Sequence, residues 1–130
     1  NGGDDAIEGC DGNDFANGGE GDDTLLGGTG NDVLAGDAGD DVLEGNTGND
    51  ILLGGNGNDL LEGGRGDDGV FGGAGDDTIL VRESEAVGDI INGGLGQDIV
   101  MTTDGWTSPK TARSTSRARR TSGSASAGRP

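Results

Sequence analysis

Gly18-Gly19-Glu20-Gly21-Asp22-Asp23-Thr24-Leu25-Leu26 is followed by Gly27-Gly28-Thr29-Gly30-Asn31-Asp32-Val33-Leu34-Ala35, and the frame then holds without a slip to Leu80. Each unit has nine residues. Glycine stands at the first and fourth places and usually at the second, aspartate at the sixth, and an aliphatic residue at the eighth. A fixed period this short predicts a solenoid in which each repeat stacks on its neighbour.

Working outward, a weaker unit, Gly9 to Asn17, extends the array backwards, with Cys10 at its second place and Ala16 at its eighth. Gly2 to Glu8 reads as the end of an earlier unit. On the other side, residues 81–92 break the frame. Val81-Arg82-Glu83 reads as a short insertion and Ser84 to Asn92 as a degenerate unit, with Asp89 at place six and Ile91 at place eight. Gly93 to Met101 restores the motif. The expected organisation is a repeat domain over 1–101, with regular repeats in 9–80, and a disordered tail over 102–130 rich in Ser, Thr and Arg.

Composition excludes several alternatives. The chain of 130 residues has 31 glycines, 28% hydrophobic and 2% aromatic residues, poor material for an ordinary core. A solvated acidic linker would share that balance but would not hold an aliphatic residue at every ninth place. Collagen is excluded because the glycines do not fall at every third residue. Up to Asp104, 25 carboxylates face two arginines, a net of −23, whereas Gly105 to Pro130 carries +6. An acidic body of this kind repels nucleic acid and anionic membranes, and its natural partner is a cation. No apolar run approaches spanning length. One cysteine allows no internal disulfide.

The last three residues of each unit are expected to form a short strand whose middle residue points inward. The inward set is then Leu25, Leu34, Leu43, Leu52, Leu61, Val70 and Ile79. Residues 18 apart stack one coil above another. One edge then carries Asp14, Asp32, Asp50 and Asp68, and the other Asp23, Asp41, Asp59 and Asp77, preceded by Asp5. Stacked carboxylates repel until a cation bridges them, and a hard divalent ion takes a mixture of carboxylates and main-chain carbonyls. At the fifth place Asp22, Asp40, Asp67 and Asp76 alternate with Asn31, Asn49 and Asn58, which suggests local turn bonding or surface charge rather than required ligation. Asp37 and Asn46 replace glycine at the second place and are types that tolerate a left-handed backbone.

The pattern G-G-x-G-x-D-x-U-x, with U a large aliphatic residue, resembles the repeats-in-toxin (RTX) nonapeptide family over about three quarters of the chain. That resemblance implies an all-β, right-handed parallel β-roll, two units to a coil, with calcium between successive turns. It implies a metal set of Asp14, Asp23, Asp32, Asp41, Asp50, Asp59, Asp68, Asp77 and Asp98. The turn glycines Gly19, Gly21, Gly28, Gly30, Gly39, Gly48, Gly55, Gly57, Gly64, Gly66, Gly73 and Gly75 are expected to supply carbonyls. About six calcium ions or more follow from three gaps on each edge.

The same resemblance implies a secreted, extracellular bacterial protein exported in one step by type I machinery. The chain starts inside a repeat and reads as a fragment of something longer; the alternative reading is the C-terminal module of a secreted enzyme (metalloprotease, lipase or alginate epimerase) or pore-forming toxin, aiding export or substrate contact. Within this chain no enzyme is expected. There is no histidine for a zinc site or a Ser-His-Asp triad, and the spacing does not fit an EF-hand. Periodic carboxylates also argue against a single glycosidase-type pair. With one inward aliphatic per nine residues, burial cannot offset the cost of ordering the array. The chain is therefore expected to fold only when metal binds.

Overall fold

The computed structural model describes residues 2–81 and 88–102, together with the main chain of 119–120. Strands alternate between two sheets. β1 (Ala6–Asp11), β3 (Thr24–Thr29), β5 (Val42–Thr47), β7 (Leu60–Arg65), β9 (Thr78–Val81) and β11 (Ile99–Thr102) lie side by side in one. β2 (Phe15–Glu20), β4 (Val33–Ala38), β6 (Ile51–Asn56), β8 (Gly69–Ala74) and β10 (Ile90–Leu95) form the other. β12 (Arg119–Arg120) adds to the open side of β11. Every pairing is parallel, so the chain coils through the two sheets alternately as a β-solenoid of about five turns.

The register is the repeat made visible. Ala6 pairs with Thr24, Val33 with Ile51 and Leu60 with Thr78, each 18 residues apart. From β8 to β10 and from β9 to β11 the offset is 21 residues: Val70 pairs with Ile91, and Ile79 with Val100. Three extra residues therefore fall between β9 and β10, and Asp89 and Ile91 return to register; Val81, read as the first inserted residue, is instead the last residue of β9 and pairs with Thr102. The inserted Arg82-Glu83 and the tail beyond Thr102, apart from the main chain of β12, lie outside the described residues.

Strands are longer than the three residues expected. Most have six, from place seven of one unit to place three of the next, because the main chain of the glycine pair continues the ladder. Gly69 takes the seventh place of its unit, where the lack of a side chain would weaken a strand, yet β8 has full length and the Phe71 ring lies beside this glycine. The interior is a single file of aliphatics. Leu25, Leu34, Leu43, Leu52, Leu61 and Ile79 are wholly buried, with Val70, Ile91 and Val100 nearly so. Place-one glycines also face inward, since side chains alternate along a strand. The outward row Val33, Val42, Ile51 and Leu60 does not form one face: Val33 and Ile51 belong to one sheet, Val42 and Leu60 to the other.

Candidate metal centre

Each turn is a glycine, an Asx or similar residue and an aspartate, at places four to six. Turns leaving β1, β3, β5 and β7 stack along one edge and carry Asp14, Asp32, Asp50 and Asp68. Turns entering β1, β3, β5, β7, β9 and β11 stack along the other and carry Asp5, Asp23, Asp41, Asp59, Asp77 and Asp98. These are the two rows expected from the spacing.

The two carboxylate oxygens of a sixth-place aspartate have different fates. Oδ1 accepts a hydrogen bond from the main-chain amide of the sixth-place aspartate one coil back. Asp14 donates to Asp32 at 2.8 Å, Asp32 to Asp50 at 2.7 Å and Asp41 to Asp59 at 2.8 Å. Across the insertion the pattern persists, from Asp68 to Asp89 and from Asp77 to Asp98. Oδ2 is buried without a hydrogen-bond partner in Asp14, Asp23, Asp32, Asp41, Asp50, Asp59, Asp68, Asp77 and Asp98. A buried carboxylate oxygen left so is costly, so each of these nine atoms calls for a cation or a proton.

The space beside Oδ2 is kept open by the place-one glycine. A β-carbon on Gly27 would sit 2.5 Å from Asp32 Oδ2 and 2.8 Å from the carbonyl oxygen of Gly45 on the next coil. Gly9 has the same surroundings: 2.5 Å from Asp14 Oδ2 and 2.7 Å from the Gly27 carbonyl. Glycine is required here by space. At places two and four it is required by a positive φ, as at Gly28 (109°) and Gly30 (121°). All twelve glycines expected to supply carbonyls adopt that conformation. Asp37 and Asn46 do too, at 76° and 80°, and so, unexpectedly, does Cys10 at 81°.

Place-one carbonyls were not among the expected ligands, yet they lie beside the half-satisfied carboxylates. The available signal was constancy: place one is glycine in every regular unit, whereas place two is not. Val81 takes place one where the frame breaks, and the residue five positions on is Ala86, not aspartate. Val81 is buried at that place.

The fifth-place bonds run between coils, not within a turn as expected. Asn13 Oδ1 accepts from the amide of Asn31, Asn31 from Asn49, Asp22 from Asp40 and Asp40 from Asn58. These side chains are exposed and use Oδ1 to tie one turn to the next, a role that Asn and Asp fill alike.

Burial sets the protonation of the sixth-place carboxyls. Desolvation raises Asp41 and Asp50 above the ordinary aspartate range and lifts Asp59 and Asp68 to about 7 and Asp77 to about 6. The accepted amide bond acts the other way. Neighbouring carboxylates add to the rise: Asp32 on Asp50, Asp77 and Asp41 on Asp59, and Asp89 and Asp50 on Asp68. Among the described residues, no three or more His, Cys, Asp or Glu side chains converge. A cation between two turns would therefore draw on a carboxylate pair and main-chain carbonyls, an all-oxygen set that fits a hard divalent ion.

A two-sheet parallel solenoid with acidic, glycine-lined turns is the class that this fold and these turns define. A family model made of four copies of the RTX calcium-binding nonapeptide repeat matches residues 1–34, 9–43, 17–52, 26–61 and 44–79. These matches span more than half of the chain, which belongs to that family. Comparison with curated proteins and with solved structures gives no match.

Proposed function

We propose that this chain is a calcium-folded module. The observation that carries the reading is the row of buried, half-satisfied carboxylates on each edge, set close to place-one glycines and their carbonyls with no room for a β-carbon. Asp14, Asp23, Asp32, Asp41, Asp50, Asp59, Asp68, Asp77 and Asp98 supply Oδ2. Place-one carbonyls such as those of Gly27 and Gly45 line the same space. The carbonyls of the place-two and place-four glycines, Gly28 and Gly30 among them, are proposed to complete the ligand set. Bound calcium supplies positive charge that turns stacked carboxylates from a repulsion into a bridge. About six ions fill the gaps of the regular array, with room at the ends.

Because the sites exist only when coils are stacked, binding free energy is folding free energy. Extracellular modules bind calcium at about 0.1–1 mM. The chain would stay open in a low-calcium compartment and close outside the cell, which supports secretion and export in the unfolded state. The test is far-UV circular dichroism during a calcium titration, with magnesium as control. Parallel β signal rising at millimolar calcium and not with magnesium is expected; a metal-free chain that is already compact and protease-resistant would overturn the reading.

A further inference from the structure

We infer that the two rows of turns are unequal calcium sites, and that the row with fifth-place aspartates fills at lower calcium than the row with fifth-place asparagines. This rests on the reading of the turns as calcium sites.

The fifth place is the controlled variable. Along the edge of Asp23 and Asp41 it is Asp4, Asp22, Asp40, Asn58, Asp76 and Gln97. Along the edge of Asp32 and Asp50 it is Asn13, Asn31, Asn49 and Asp67. Both rows use the same inter-coil bond, from Asp22 N to Asp4 Oδ1 at 2.9 Å and from Asn31 N to Asn13 Oδ1 at 2.8 Å. The rows therefore share a geometry and differ in the second terminal atom, a charged oxygen or a neutral amide.

The central gaps show the contrast. The buried pair Asp23 and Asp41 is flanked by the exposed carboxylates Asp22 and Asp40, with Glu20 at the third place beside them. The equally buried pair Asp32 and Asp50 is flanked by Asn31 and Asn49, with Thr29 and Thr47 beside them. All four central Oδ2 atoms lack a hydrogen-bond partner, so the demand for a cation is common to both rows. A divalent ion in the first gap gains attraction from carboxylates that do not ligate it, which lowers the calcium needed. That gain acts through solvent and is screened by salt.

The test uses the full chain. Amide resonances of Gly21, Gly39, Gly57 and Gly75 report on the aspartate row, and those of Gly12, Gly30, Gly48 and Gly66 on the asparagine row, during one calcium titration. The aspartate row is expected to reach its midpoint first. The double variant Asp22→Asn with Asp40→Asn raises that midpoint by about threefold per carboxylate. The reciprocal Asn31→Asp with Asn49→Asp lowers the other by a similar factor. Both exchanges keep the accepting Oδ1, so the ladder survives. In the unaltered chain the difference closes at an ionic strength of about 1 M, where the screening length is about 3 Å. Coincident rows at low salt, or midpoints that ignore the exchanges, would overturn the inference while leaving calcium binding intact. No calcium response at all would remove the underlying reading and this one with it.

Discussion

The main-chain amide of Asp32 donates to Oδ1 of Asp50, 18 residues further on, at 2.7 Å, and leaves Oδ2 of Asp50 buried without a hydrogen-bond partner. One oxygen ties two coils together, and the other asks for a charge.

Acid should partly replace calcium. The carboxyls of Asp41, Asp50, Asp59, Asp68 and Asp77 are raised in the fold above their unfolded value of 3.8, to about 7 for Asp59 and Asp68 and about 6 for Asp77. Between about pH 4 and 7 the folded chain then holds more protons than the unfolded one, so stability of the metal-free roll falls as pH rises. Without calcium, β structure should be greatest near pH 4 and lost through pH 6–7. With calcium the dependence reverses, since protons compete for Oδ2. Circular dichroism against pH, with calcium and with chelator, separates the two curves; a metal-free roll that gains stability toward pH 8 would contradict this.

Removing one carboxylate should harm two functions at once. Asp50→Ala leaves the Asp32 amide without its acceptor, at about 1–3 kcal/mol, and removes an Oδ2. Asp50→Asn keeps an acceptor and loses only the charge. Both are expected to raise the calcium midpoint along the edge of Asp50 first, the alanine variant more. Equal loss on both edges, read from glycine amide shifts, would count against two separate rows.

Gly45→Ala tests the reserved space. Its β-carbon would meet Oδ2 of Asp50 and come 2.6 Å from the Gly63 carbonyl. The carboxylate must move, and calorimetry should show reduced stoichiometry or a much higher midpoint. Unchanged binding would mean that this pocket of oxygens is not the site.

Asp37→Gly should stabilise the roll. Asp37 holds φ of 76°, and a left-handed conformation costs a residue with a β-carbon roughly 1–2 kcal/mol. Part of that is returned by the greater freedom of glycine in the unfolded chain, so a net gain of about 0.5–1 kcal/mol is expected. A lower calcium midpoint at unchanged stoichiometry is the readout.

Leu43→Ala separates folding from ligation. Leu43 is fully buried in the aliphatic core. Its truncation should cost about 2–5 kcal/mol, raise the calcium midpoint and leave the number of ions bound unchanged once the chain is folded.

Most of this architecture was legible in the residues because the repeat is in phase with the structure. A period of nine placed Leu25, Leu34 and Leu43 inward and sorted Asp14 from Asp23 onto opposite edges, and a three-residue slip returned Asp89 to register with Asp68. What stayed hidden was the direction of main-chain groups. No side chain announces that the Gly45 carbonyl comes up against Gly27 or that Asn31 bonds to the next coil, because those partners lie 18 residues away and are chosen by stacking. The nonapeptide alone determined register, core and the positions of the carboxylates, since these follow from local turn geometry and alternation. Only the stacked coils decided which oxygen of each aspartate is used and which is left waiting. An amide one coil back can reach just one of the two, and burial closes water off from the other.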